Sequence, residues 1–420
     1  MTGDTYSPRT LRALLAGFAL FALPAACSFA SSPVPATGGA GLLGTKGRVE
    51  KGFSVLYSFQ GSPDGATPFA GVVVDKSGNI FGTTFVDGAY NAGTVFELTP
   101  SGSSYSETIV HSFTSTDGDG PVDAPLEDAS GNLYVTTLQG GEFGAGTAVA
   151  LSPTGGGYAE SGVFAFGNGS ESGAPNAGFL EEGTTLYATT SSGGKYGAGA
   201  IVALSSSGLS YSDVHDFGNG PDGAYPLSNL VADSKGALYG TTVAGGTGGQ
   251  GTVFKFVPSG SAGSETVIWN FQSGGKVDGN SPNGGVALDA NGNVYGTTSA
   301  GGTDNDGILF ELRPGKREYR ESILHTFAGG PDGAVPIAGP TLKGKFLYGS
   351  TSSGSGSVCV ACGTLFRIET SGTGYEILHT FGGNDGANPL GNLFVSGSAL
   401  YGTTSNGGAN SLGVVFQFVP

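Results

Sequence analysis

Positive charge is what this sequence has least of. Lysine and arginine number 17 in 420 residues against 33 aspartates and glutamates, a net charge of -16. Binding a phosphate backbone requires clustered lysine and arginine, so nucleic acid is excluded as a partner. Adhesion to an anionic lipid surface is excluded on the same ground. Charged residues of both signs make up only 12% of the chain, and cysteine occurs three times, at Cys27, Cys359 and Cys362. After residue 30 there is no run apolar enough to cross a bilayer and no segment with sustained helical periodicity. What is plentiful is glycine, 80 residues, which with 21 prolines approaches low-complexity composition. Against disorder stand 26 phenylalanines and 16 tyrosines placed at regular intervals. The glycines are therefore read as belonging to many turns around a buried core.

The N-terminus reads as an export signal, residues 1–30. Arg9 and Arg12 precede "LLAGFALFALPAA", the length of a signal h-region and too short to span a bilayer comfortably. Two endings stay open. "LPAAC" ending at Cys27 resembles a lipobox with Cys27 as the lipidation candidate, although Pro24 departs from the usual aliphatic residue; "CSFA" ending at Ala30 offers an ordinary small-x-small cleavage site. An uncleaved anchor is the third alternative. Residues 31–50, rich in glycine, alanine and proline, read as a flexible linker.

From residue 51 one phrase recurs: "IFGTT", "LYATTSSGG", "LYGTTVAGG", "VYGTTSAGG", "LYGTTSNGG". Its aromatic stands at Phe81, Tyr134, Tyr187, Tyr239, Tyr295, Tyr348 and Tyr401, in steps of 53, 53, 52, 56, 53 and 53 residues. Each unit holds four strand-like segments, for example "AGVVVD" (70–75), "IFGTT" (80–84), "GTVFEL" (93–98) and "SETIVHSF" (106–113). They are short, rich in Val, Ile, Thr and aromatics, and bounded by Gly, Pro and Asp, which favours strands. Seven such units predict an all-β fold, a seven-bladed β-propeller of four-stranded antiparallel blades over 51–420. The repeat aromatic should fill the space between blades. The region opens with a fourth-type segment, "FSVLYSF" (53–59), and closes with a third-type one, "GVVFQF" (413–418). The N-terminal strand is thus expected to join the last blade and close the ring, removing open sheet edges.

At these residues the sequence resembles the Gloeo/Verruco tandem-repeat family of exported bacterial proteins, carried by "LYGTTxxGG" and "GTVFxL" in seven whole or degenerate copies. The resemblance implies tandem propeller-like repeats, an envelope or extracellular location and varied anchoring, with no established activity. "GGVALDANGNVYGTT" (284–298) also looks like an NHL-class propeller repeat; WD dipeptides and a kelch tryptophan pattern are missing, with Trp269 the one tryptophan.

Several residues are candidates for chemistry. His111, His215, His325 and His379 share one register, which Tyr57, Phe164 and Trp269 occupy in the other units. A slot that accepts Phe and Trp is an interblade packing slot, and a metal ring is the rejected rival. A "DG…P" phrase joins each fourth segment to the next first one, with Asp64, Asp222, Asp278, Asp332 and Asp385. The default reading is a turn capped by Asp. The functional reading is an acidic ligand-binding rim, because in a propeller the fourth-to-first and second-to-third connections share one face; Ca²⁺ or a cationic partner would suit it. "SGAP" (172–175) breaks the pattern in the third unit, and "TDNDG" (303–307) is only part of a calcium loop. Cys359 and Cys362 in "CVAC" read as a local disulfide in an exported chain, half a zinc site at most. Asp128 and Glu181 sit at turns and are not spaced for glycoside hydrolysis. No catalytic residue, metal site or resident cofactor is expected. The expectation is a monomeric extracytoplasmic binding or scaffold module, secreted or at the outer envelope, for an unknown protein or glycan ligand. A lipid on Cys27 would be its only membrane tie. The alternative is a polysaccharide-acting enzyme with its site at the mouth of the central channel.

Overall fold

The computed structural model describes residues 52–420 apart from 103, 170, 208, 261, 272–277 and 355–361. The expected signal peptide, Cys27, the linker and Cys359 lie outside the described residues. Gly52–Pro420 folds as one unit, a β-propeller of seven four-stranded blades with the strands of each blade in sequence order from axis to rim, here a, b, c and d. Blade 1 is typical, with Val73–Val74, Ile80–Thr84, Thr94–Ser101 and Ser104–Ser112. In blades 2 and 3 the a strand is in two pieces, Asp119–Pro121 with Leu126–Glu127, and Gly173–Pro175 with Leu180–Glu182. Blade 7 takes Phe394–Ser396, Ala399–Thr404 and Val414–Val419 from the C-terminus and Gly52–Ser58 from the start. The closing pair runs antiparallel from Gly52↔Val419 to Ser58↔Val414, as the segment order predicts.

The cores lie between blades. Phe81, Val95 and Phe113 of blade 1 pack against Leu133, Val149 and Leu151 of blade 2, and Phe96 and Leu98 of blade 1 against Tyr401 and Val415 of blade 7. The repeat aromatics are all buried. The glycine of the "GTT" phrase is there because of its cross-strand partner: a Cβ on Gly82 would lie 2.4 Å from Cζ of Phe96. Gly82↔Phe96 recurs as Gly240↔Phe254, Gly296↔Phe310, Gly349↔Phe366 and Gly402↔Phe416. The two blades that lack the phenylalanine fill the space otherwise, with Val135↔Val149 and Ala188↔Val202. There two smaller side chains share the space that one ring fills elsewhere.

The two threonines have separate jobs. The first reaches into the next blade and donates to a backbone carbonyl near its a strand: Thr83 to Asp123, Thr136 to Ala177, Thr189 to Ser228, Thr241 to Gly284 and Thr297 to Ala338, at 2.8–3.0 Å. Thr403 closes the circle by donating to Ala70. In blade 6 the position is Ser350, whose buried Oγ has no partner; there Thr341 makes the link, donating to Leu393 at 2.8 Å. The second threonine stays within its blade, as in Thr84···Thr94 and Thr242···Thr252, both 2.8 Å. A further blade-to-blade link precedes each proline of the d-to-a connection. Thr67, Ala174, Tyr225, Ser281, Val335 and Asn388 all have φ between 51° and 58°, and Gly120 takes the same place in blade 2. Their N–H groups donate to the preceding blade, Thr67 to Leu412 (2.9 Å) and Val335 to Asp306 (2.9 Å) among them. The left-handed backbone is costly for β-branched Thr67 and Val335, and the repeated interblade bond offsets it.

Two outcomes follow from this frame. Thr297→Val should cost about 1–2 kcal/mol in urea unfolding, since it leaves the buried Ala338 carbonyl unpaired, whereas Ser350→Ala should cost nothing measurable. Deleting 52–58 should lower the melting temperature of the whole ring rather than create a separate early transition.

Candidate functional site

The d-to-a connections and the b-to-c loops do share one face. They are bridged to each other directly, Ala66↔Val86, Ala224↔Ala244, Ala334↔Ser353 and Ala387↔Asn406. Each rim aspartate is first a turn cap. Asp64 accepts from the Gln60 N–H (2.6 Å), Asp222 from Gly218 (3.1 Å), Asp278 from Gly279 (3.0 Å), Asp332 from Ala328 (2.9 Å) and Asp385 from Gly382 (2.8 Å). Blade 1 supplies a sixth, Asp117, which the sequence reading missed because its "DGDG" phrase is spaced differently; it accepts from Thr114 at 2.8 Å. In the connection that follows blade 2, Glu171 substitutes, accepting from Asn168. Asp64 and Asp222 are each only 8% exposed, so their charge is held beneath the rim surface.

The histidine register is a packing slot, and also more than that. His325 stacks on Tyr375 of the next blade with ring centroids 3.7 Å apart, and His379 on Phe53 at 3.8 Å; Phe164 on Tyr211 is the all-carbon equivalent. Each histidine also turns Nε2 toward the turn aspartate: His111–Asp117 at 2.9 Å, His215–Asp222 at 3.6 Å, His325–Asp332 at 3.1 Å and His379–Asp385 at 2.8 Å. A bulge one residue earlier, as at Val110 and Leu324, aims the ring. Burial lowers the pKa of His215 and His379 against the opposing pull of their aspartates. For Asp117 burial is outweighed by the His111 and Thr114 donors, which bring its pKa down to about 2.

Four residues before the slot, the d strand carries either an aromatic (Tyr211, Tyr375, Phe53) or a glutamate (Glu107, Glu160, Glu265, Glu321). The glutamates face the turn aspartate of the preceding seam. Burial, with the charge of Asp64, raises Glu107 to about 7; burial, with Asp278, raises Glu321 to about 8.

Among the described residues the exposed aromatics are confined to part of this face. Tyr90 (64% exposed), Phe143 (43%) and Tyr196 (43%) stand three residues before the glycine that opens the c strand in blades 1, 2 and 3. Tyr225 (37%) adjoins them, its N–H bonded to Ala198. The same place holds Gly248, Asp304 and Asn410 in blades 4, 5 and 7. Sequence reasoning missed this arc, though "GAYNAGT", "GEFGAGT" and "GKYGAGA" signal it once the b-to-c loops are aligned. Among the described residues Lys195 is the one base on these loops, its ammonium 5.2 Å from the Tyr196 ring centroid. The other described lysines and arginines lie on strands or on the opposite turns.

At the axis, Asp123 accepts from Asn229 (2.5 Å) and from the Gly178 N–H (2.8 Å), and Asn392 accepts from the Gly339 N–H (3.0 Å). Asp123 keeps some exposed surface, but dense surroundings raise its pKa. These bonds tie the connections that lead into neighbouring and next-neighbouring inner strands together. A depression of about 420 Å³ beside them is lined by Val231, Ala287, Thr341 and their neighbours. The expected "CVAC" disulfide can be placed only in part: Cys362 is buried and disulfide-bonded.

Two measurements test these assignments. His325→Phe should remain folded, as Phe164 indicates, and lose about 1 kcal/mol through its bond to Asp332. Stability should fall between pH 6.5 and pH 9. In that window the unfolded glutamates are already ionised, while folded Glu107 and Glu321 still hold protons at its lower end. Glu107→Gln with Glu321→Gln should make the melting-temperature profile shallower, the remainder belonging to Glu265, which burial and Asp222 raise to about 8; an unchanged slope would refute the assignment.

The sequence model of the Gloeobacter/Verrucomicrobia repeat matches residues 35–173, 121–362 and 322–420. No curated protein matches the chain. Among solved structures, a candidate 6-phosphogluconolactonase from Bacteroides uniformis aligns at TM-score 0.50 and 12% identity, over 74% of this chain and 83% of its own. BamB from Moraxella catarrhalis aligns at 0.47 and 13%, over 87% and 100%. At 12% identity the first of these shows a likeness of fold alone. With its repeats matched from end to end of the folded region, this chain belongs to the Gloeobacter/Verrucomicrobia repeat family.

Proposed function

We propose that the protein is a binding or scaffold module working outside the cytoplasm, at the envelope or in the medium. Its recognition surface is the loop face of blades 1–3. The observation that carries this reading is the arc of Tyr90, Phe143 and Tyr196, exposed in one register of three consecutive blades. Buried repeat positions are set by packing, but these side chains are exposed, and blades 4, 5 and 7 manage without an aromatic there. The surrounding loops carry acids and, among the described residues, one base. Aromatic faces within a negative field suit ammonium or guanidinium groups carried on an apolar stem. A basic, extended polypeptide segment therefore fits better than a neutral glycan. The axis favours this reading over catalysis at the channel mouth, because Asp123 is committed to bonds between the connections that lead into inner strands.

A peptide and glycan array tests the proposal, comparing the wild type with Tyr90→Ala/Phe143→Ala/Tyr196→Ala. Each aromatic contact is worth about 1 kcal/mol, so basic peptides should bind the triple variant at least about tenfold more weakly. Added salt should weaken the wild-type binding, and Lys235→Ala on the opposite turns should have no effect. Equal binding by the triple variant, or hits confined to neutral glycans, would overturn the assignment.

A further inference from the structure

The seams between outer strands are of unequal chemistry, and two of them assemble one imidazole with two carboxylates. Between blades 3 and 4 the set is His215, Asp222 and Glu265; between blades 1 and 2 it is His111, Asp117 and Glu160. The registers are the same: the slot histidine, the turn aspartate after it, and the glutamate four residues before the slot of the next blade. Elsewhere the set is broken. At His325 and His379 the third member is an aromatic that stacks on the ring. At Glu107 and Glu321 the slot holds Tyr57 and Trp269 instead of histidine.

Geometry at both seams points to a ligand. His111, Asp117 and Glu160 bring their ligand atoms within 4.8 Å of one another. In the wider seam, Nε2 of His215 and Oε1 of Glu265 are buried atoms with no hydrogen-bond partner, and with Asp222 and Asn219 they line a cleft of about 520 Å³. An orphaned glutamate Oε1 recurs at Glu107 and Glu321, so the orphaned imidazole nitrogen is what sets this seam apart; a buried nitrogen left so is costly and calls for a partner. The His215 Nε2 to Asp222 Oδ2 separation of 3.6 Å is long for a hydrogen bond. It is close to the roughly 3.4 Å between two ligands about 2.1 Å from a tetrahedral ion.

We propose that these two seams are divalent-cation sites of the zinc class, each supplied by one histidine, one aspartate and one glutamate, with solvent completing the coordination. The mixed nitrogen and oxygen donors suit Zn²⁺ or Co²⁺ better than Ca²⁺, which takes oxygen donors. Because the ligands come from adjacent blades, a bound ion would also fasten the ring from outside.

The test is calorimetric titration of untagged, chelator-stripped full-length protein with ZnCl₂, and with CoCl₂ followed by visible absorption. Two equivalents should bind, with tetrahedral-type cobalt bands, falling to one in Glu265→Gln and to none in Glu160→Gln/Glu265→Gln. Glu107→Gln should keep both, and millimolar Ca²⁺ should not compete. Should the glutamine pair fold poorly, His111→Phe/His215→Phe serves instead, following the internal precedent of Phe164. No binding at 100 µM free zinc, binding that survives either double variant, or displacement by Ca²⁺ would overturn the proposal.

Discussion

One hydroxyl holds the ring in phase. The first threonine of each "GTT" phrase leaves its own blade and donates to a carbonyl of the next. A propeller blade is a twisted sheet with two greasy faces, and hydrophobic packing alone would let neighbours slide along one another. A directional bond of about 3 Å at the narrow inner end fixes the sliding coordinate, at a place where a lost bond leaves a buried carbonyl unpaired. Blade 6 shows that the link itself is under constraint. Ser350 there lacks a partner, yet Thr341 supplies a bond to the same neighbour from another strand. The last link, Thr403 to Ala70, joins residues at opposite ends of the fold. Together with the Gly52–Ser58 strand it makes circularity a matter of two independent fasteners.

This explains why so much of the fold was legible and where legibility stopped. A contact made seven times leaves seven copies of its residues, so strand number, strand order and closure could be read from spacing. The glycine that accommodates Phe96 could be quoted but not explained, since the cross-strand pairing Gly82↔Phe96 is a fact of register. The histidine slot was read correctly as packing, from Phe164 and Trp269 in the same column. Its second role, the bond to the turn aspartate, was hidden because the partners lie six or seven residues apart across an irregular connection. Asp117 escaped for the same reason: the turn keeps its geometry while its spelling changes. Repetition reveals shared structure well. It conceals whatever one blade does alone.

Function has to be sought in that second category. Tyr90, Phe143 and Tyr196 break the sevenfold rule by occupying less than half the ring, and they do so on loops bonded to the next blade through Ala92, Ala145 and Ala198. Mounting them on a closed ring fixes their relative positions before any partner arrives, which lowers the ordering cost of association. The charge distribution works with this. Described bases other than Lys195 are absent from that face, so among the described residues it presents an approaching cation with a predominantly negative field.

The outer seams show the same logic one layer further out. Their shared need is to bind a d strand to its neighbour, and the chain meets it in three ways: stacked rings at Phe164–Tyr211, His325–Tyr375 and His379–Phe53, an acid pair at Asp64–Glu107 and Asp278–Glu321, and a mixed set at His111 and His215. A stack needs nothing from solution. An acid pair in a poorly solvated seam holds together only if one partner keeps its proton, so it weakens as the pH rises. The mixed set puts an imidazole nitrogen beside two carboxylates. On the proposal above it is the joint that takes up a cation, which would make the hold between these blades depend on the ions around the ring as the acid pairs depend on its pH.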